Sequence, residues 1–196
     1  MSSIAASFGL DPNADIATNV CKTFVPGHPL GTIISAAFGS PVGTGPGEQC
    51  AVDKSGGSGP YNAHYIEVPS LPGHTIYVPK APPANLKMPV IVWGNGFCMA
   101  AGTMFVNFLN EIASHGFFII ANGPATGNQL DGTTTYRDLI KSVDWAEKNP
   151  AAKKWNLDLS RLAVAGQSCG GGQAVRRHTT TLADPFDSIL IHYLLG

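Results

Sequence analysis

Leu162-Ala163-Val164-Ala165-Gly166-Gln167-Ser168-Cys169-Gly170-Gly171-Gly172 is the stretch that decides how the rest of the chain is read. A short apolar run suited to a buried strand is followed by Gly-x-Ser-x-Gly, and the glycines run into Gln173-Ala174-Val175, which can begin a helix. This is the pattern of a nucleophile elbow, a strand-to-helix turn with a serine at its tip. Such a serine sits in a strained backbone conformation, and a β-carbon on a flanking residue would clash with it. The turn pushes the hydroxyl outward, and the helix N-terminus beneath it favours negative charge developing nearby. With 23 glycines in 196 residues the bare pattern also arises by chance, so its surroundings have to agree.

Upstream, Met88-Pro89-Val90-Ile91-Val92-Trp93 is a near-continuous apolar run, as expected for a strand covered on both faces. The loop Gly94-Asn95-Gly96-Phe97-Cys98 leads into a helix over Thr103 to His115, where Phe105, Phe108, Leu109 and Ile112 share one face and Gly116 can cap the end. Phe117-Phe118-Ile119-Ile120-Ala121 reads as a second buried strand, ended by Asn122-Gly123-Pro124. After a loop to Asp131, a helix from about Thr134 to Lys148 repeats the spacing with Tyr136, Leu139, Ile140 and Val143, and Asn149-Pro150 stops it. Beyond Ser168 the pattern gives a short helix to about His178 and a last strand over Ser188 to Tyr193.

Tyr61 to Val68 and His74 to Val78 read as two strands joined by a turn. His64 and His74 are expected to face solvent from these strands, and His115 to sit at the negative end of its helix dipole. Residues 1–60 are rich in Gly, Pro, Ser and Thr without a sustained period, which predicts an irregular extension. Ile33 to Phe38 is the one short element expected there, of undecided kind. Residues 61–196 then carry one α/β domain: a mostly parallel sheet with helices on both faces and its chemistry at the carboxyl ends of the strands.

A chain with 44% hydrophobic and 13% charged residues can bury one sizeable core. The net charge of -1 and basic clusters no longer than Lys153-Lys154 and Arg176-Arg177 argue against nucleic acid or an anionic membrane as partner. No run reaches the length of a membrane span, and Met1 to Ser7 lacks the features of a signal peptide. Gly94-x-Gly96 after a strand also fits a dinucleotide site, but Met99 stands where the third glycine belongs and no acidic residue ends the next strand. No cofactor is expected.

The four cysteines, Cys21, Cys50, Cys98 and Cys169, lack metal-ligand spacing, so no metal is expected. Cys98 and Cys169 lie in loops that meet at the same end of a parallel sheet, which predicts a Cys98–Cys169 bridge with Cys21 and Cys50 pairing in the N-terminal segment. Four thiols in a reducing compartment is the open alternative. The loops at that sheet end also supply main-chain donors. A tetrahedral intermediate of acyl transfer needs two N–H groups aimed at its oxyanion, and the candidates are Cys169 and Asn95, with Gly96 as the fallback for the second.

The Gly94-Asn95-Gly96 loop, the Glu111-Ile112-Ala113-Ser114-His115-Gly116-Phe117 junction and the Gly166-Gln167-Ser168-Cys169-Gly170-Gly171 turn resemble the α/β-hydrolase superfamily. Within it the chain is most similar to dienelactone-hydrolase-like, cutinase-like and polyester-hydrolase esterases, especially of fungi. The resemblance implies a serine esterase acting on small-molecule or polymeric esters through an acyl-enzyme on Ser168, and an extracellular location.

In that family the triad acid and histidine follow the serine in the chain. Between Cys169 and Gly196 the candidates are Asp184, Asp187, His178 and His192. His178 ends a helix running away from the serine, His192 lies in or at the end of a strand, and Asp184 before Pro185 reads as a turn residue. The expectation is therefore a hydrolase domain lacking its last strands, with two further readings: a relic that binds ligands without turnover, and self-association through the open sheet edge.

Overall fold

The computed structural model describes residues 54–125, 132–180 and 193–194. The expected Cys21–Cys50 pairing, the short element at Ile33 to Phe38, Asp184, Asp187 and His192 lie outside the described residues, as does most of the predicted extension. Among the described residues six strands form one sheet: β1 (Ala63–Ile66), β2 (His74–Pro79), β3 (Met88–Gly94), β4 (Phe118–Asn122), β5 (Leu157–Gln167) and β6 (Tyr193–Leu194). Their order across the sheet is β1-β2-β4-β3-β5-β6. β3 pairs in parallel with both β4 and β5, and β5 with β6, whereas β2 runs antiparallel to β1 and β4. Among the described residues three α-helices accompany them: α1 (Val106–Ser114), α2 (Tyr136–Lys148) and α3 (Cys169–Thr180). This is the α/β-hydrolase-like architecture that the sequence pattern predicts.

The apolar runs set the layers. In β3 and β4 the alternation sends Val90, Val92, Phe118 and Ile120 toward α2, where they join Leu139, Val143 and Trp145 in one cluster. Phe118 stacks on Trp145 with ring centroids 6.3 Å apart. Trp93 is on the alternate side and meets Phe105 and Phe108, so α1 covers the opposite face. The helix over residues 103–115 begins later than the pattern predicts, at Val106, and buries Val106, Leu109, Asn110 and Ala113. Phe108 stays exposed at its rim, with one side of its ring against Trp93.

Thr135 caps α2, its hydroxyl accepting from the Arg137 N–H while the Asp138 carboxylate accepts from the Thr135 N–H. At the end of α1, Glu111 accepts from both the Ser58 N–H and hydroxyl and pairs with His115, which lowers its pKa to about 2. The stretch around Gly57, expected to be part of the irregular extension, is thereby fastened to α1.

His74 departs from the expectation of a solvent-facing strand residue: it is 4% exposed. It opens β2 beside Asn122, at the sheet end where β3, β4 and β5 finish. Its Nδ1 lies 3.1 Å from the Pro72 carbonyl and its Nε2 3.2 Å from that of Asp138, so the ring is held between two main-chain carbonyls at the start of α2.

Candidate active site

The site is assembled where β3 and β5 end side by side. Gly94 and Gly166 are register partners, and the first turn of α3 passes directly over them. A β-carbon on Gly94 would come within 2.9 Å of the Gly170 Cα, and one on Gly166 or Gly170 would run into the facing main chain. Three glycines therefore let two strand ends and a helix N-terminus touch through their backbones. Gly172 differs, because a β-carbon there meets nothing within 4 Å.

Ser168 stands between β5 and α3 with φ 52°, in the left-handed region that costs a serine backbone energy. Its side chain is exposed and makes no hydrogen bond among the described residues. The strain is held by the close glycine packing on one side and the Ser168 carbonyl on the other, which accepts the Gly172 N–H at 3.1 Å. Cys169, Gly170 and Gly171 open α3, so their N–H groups lack intrahelical acceptors and face forward.

The loop after β3 is built around Asn95, which is fully buried. Its Oδ1 accepts from the Trp93 indole N–H at 3.1 Å, and its Nδ2 donates to the carbonyls of Met99, Ala101 and Asn122 at 3.2, 2.9 and 2.6 Å. One side chain thus ties the end of β3, the following loop and the end of β4. Gly96 and Phe97 begin a short 3-10 turn, where first N–H groups have no acceptor inside the turn. The end of the Gln167 side chain lies over Gly96, and a β-carbon there would make that amide swing aside. Phe97 (φ 55°) and Cys98 (φ 52°) share the left-handed conformation of Ser168.

Cys98 and Cys169 form a disulfide, Cα to Cα 5.2 Å, between these two loops. The sequence expectation for this pair holds. Cys98 is further held by its carbonyl, which accepts the Thr134 N–H at 2.7 Å, and by its Sγ, which accepts from Gln173 Nε2 at 2.8 Å. The same Gln173 amide donates to the Thr134 carbonyl at 2.7 Å.

The described histidines are engaged elsewhere. His74 faces two carbonyls, His115 pairs with Glu111 at 3.1 Å, and His64 lies in β1 with its pKa lowered by burial and by Lys80. His178 falls on α3, and its side chain is outside the described residues. Among the described residues no group of three or more His, Cys, Asp or Glu side chains is placed to hold a metal, and no helix is long and apolar enough to cross a membrane.

Sequence reasoning brought Ser168, Cys169, Asn95, Gly96 and Cys98 together, and the structure gathers all five at one end of the sheet. It missed Gln173 and Thr134, which brace the Cys98 loop, because their contacts cross from α3 to the approach of α2. It also missed Asn122, whose side-chain nitrogen and oxygen are both buried without a partner at the end of β4. An asparagine closing an apolar strand was the only signal for it.

A family described as Chlorophyllase matches residues 57–182, more than half of the chain. Two Escherichia coli sequences, each described as an uncharacterized 31.7 kDa protein in the traX-finO intergenic region, are 28% identical over 100 residues, covering 47% of this chain and 33% of theirs. The chain spans about a third of the length of these curated relatives. Among solved structures, one from a study of two fungal esterases of Rhizomucor miehei superposes with a TM-score of 0.46 at 19% identity, over 68% of this chain and 45% of that one.

Proposed function

This chain belongs to the Chlorophyllase family, an α/β-hydrolase family of ester hydrolases, and from that premise we propose that it is a serine esterase working through an acyl-enzyme on Ser168. The Ser168 oxygen adds to the ester carbonyl carbon, the alcohol departs with a proton, and water then releases the acid and restores the hydroxyl. The oxyanion of each tetrahedral intermediate is received by the Cys169 N–H and by one from the β3 loop, at Asn95 or Gly96. The observation that carries this reading is the exposed serine at φ 52° between a buried strand and a helix N-terminus. Strain of this kind persists where the surroundings enforce it and the site uses it. Each donor of such a hole is worth about 3 kcal/mol in the transition state. Substrates are carboxylic esters, small or polymeric, and the disulfide suits an oxidising compartment.

A second reading, ligand binding without turnover, is favoured by one observation: His64, His74 and His115 are placed or engaged away from the serine. Without a base the hydroxyl is a poor nucleophile at neutral pH. Intact mass after treatment with an aryl or alkyl fluorophosphonate, beside a Ser168→Ala control, separates the two. A single adduct on Ser168 together with turnover of a short-chain aryl ester supports the esterase. An unmodified chain with intact ligand binding supports the second reading.

A further inference from the structure

We propose that the Cys98–Cys169 disulfide is a positioning clamp of the acyl-transfer site, which makes the site sensitive to reduction by a dithiol; this rests on the assignment of Ser168 as nucleophile. Cys169 is the residue after the serine and its N–H is one proposed oxyanion donor. Cys98 closes the 3-10 turn that opens at Gly96 after Asn95, the two residues proposed to offer the other. The bridge therefore joins the two donor segments covalently, within three residues of each candidate donor.

Among the described residues it is the one covalent link between these segments. β3 and β5 stop pairing at Gly94 and Gly166, before either donor is reached. Beyond that point the loops meet through the approach of Gly170 to Gly94 and Asn95, the Gln167 amide over Gly96, the Gln173 hydrogen bond to the Cys98 sulfur, and the bridge. Phe97, Cys98 and Ser168 all hold positive φ without being glycine, so each relaxes toward ordinary backbone when its restraint goes. The remaining supports of Cys98 are hydrogen bonds, from Thr134 ahead of α2 and from Gln173 one turn along α3 from Cys169; the bridge alone reaches Cys169 itself through a covalent bond.

Reduction is a two-electron step. A dithiol thiolate attacks one sulfur, its second thiol completes the exchange, the S–S bond is replaced by two S–H bonds, and the reagent leaves as a cyclic disulfide. The sheet and core do not depend on that bond, since the β3–β5 ladder and the apolar cluster lie below it. Misplacing a catalytic group by about 1 Å can lower turnover by about a hundredfold.

The test compares the full chain as isolated, the chain reduced with dithiothreitol and mapped by alkylation, and a Cys98→Ala variant. Three properties are followed: kcat and KM on p-nitrophenyl butyrate, the rate of fluorophosphonate labelling at Ser168, and hydrogen exchange of peptides covering 94–99 and 166–173. In the reduced chain and the variant, kcat and labelling are expected to fall about tenfold to a hundredfold. KM changes little, exchange rises in those two peptides alone, and reoxidation restores the reduced sample. Unchanged kcat and labelling in a chain shown to be reduced at both cysteines overturn the clamp. So does global loss of structure on reduction, which would make the bridge a support of the fold. Should the isolated chain neither label nor turn over, the nucleophile assignment fails by itself, and exchange then decides the clamp: a rise confined to the two peptides supports it, and no rise overturns it.

Discussion

Gly94 and Gly170 touch main chain to main chain, with no side chain between the end of β3 and the start of α3. The contact brings a helix N-terminus onto the strand beside the one that delivers Ser168. Gly94→Ala or Gly170→Ala forces the two backbones apart and is expected to lower both the melting temperature and the labelling rate of Ser168. Gly172→Ala, two residues further along the helix in open space, is expected to raise stability by roughly 0.5–1 kcal/mol through helix propensity alone. Parallel thermal melts of the three variants check the contrast, and equal losses in all three would contradict it.

Asn95→Ala removes a buried amide that serves three carbonyls and one indole N–H. Leaving such groups unpaired costs about 1–3 kcal/mol each where water cannot reach them. We expect a loss of at least about 2 kcal/mol in urea unfolding. Asn95→Asp is expected to be no better, because a carboxylate repels the carbonyls that the amide nitrogen now serves.

Tyr77 gives a pH-dependent prediction. It is fully buried, and its hydroxyl donates to the Gly102 carbonyl at 2.7 Å. Burial, reinforced by Tyr65, pushes its pKa far above the ordinary value near 10. A folded pKa above the unfolded one means that the unfolded chain loses this proton first as the solution becomes alkaline. The contribution is therefore complete below about pH 10 and declines above it. Tyr77→Phe is expected to cost about 1–3 kcal/mol at neutral pH and to flatten the alkaline slope, read from denaturant midpoints between neutral and strongly alkaline solution.

Thr135→Ala removes the side-chain half of the reciprocal cap on α2 and is expected to cost about 1 kcal/mol. Burial opposes ionisation of Asp138, but Lys141 and the Thr135 N–H and hydroxyl outweigh it, so its pKa is lowered overall. A depressed carboxylate stabilises the fold above its unfolded pKa, and that contribution fades as acid titrates the folded group. The Thr135→Ala penalty should therefore shrink in acid, and acid titration of both proteins by circular dichroism tests this.

Much of this was legible in the sequence because it depends on local pattern. The runs at Val90 to Trp93 and Phe118 to Ala121 could only be covered strands, and the serine between glycines announced its turn. The burial of His74 was not legible: alternation places it on a face, but only the arrival of α2 decides that the face is covered. The rim position of Phe108 escaped for a similar reason, since a helical face read from spacing does not know where Trp93 stands. The Asn95 node depends on three carbonyls from two separate segments, and nothing in Gly-Asn-Gly foretells them. The Cys98–Cys169 pair was the exception among long-range features, because parallel topology alone brings those loops to one end.

The β3–β5 ladder slips between Pro89 and Val90: Met88 and Pro89 pair with Leu157 and Asp158, and Val90 resumes with Leu162. Proline cannot donate to a neighbouring strand, so the ladder tolerates a break there. Arg161 seals the slack by binding Asp158 at 2.7 Å and the Lys87 carbonyl at 3.2 Å. Residues 159–161 thus act as an expansion joint for the strand that carries the serine. Lengthening the chain there leaves the upper part of the strand in phase, while one residue added between Leu162 and Gly166 would turn every later side chain to the opposite face and carry the hydroxyl away from its opening.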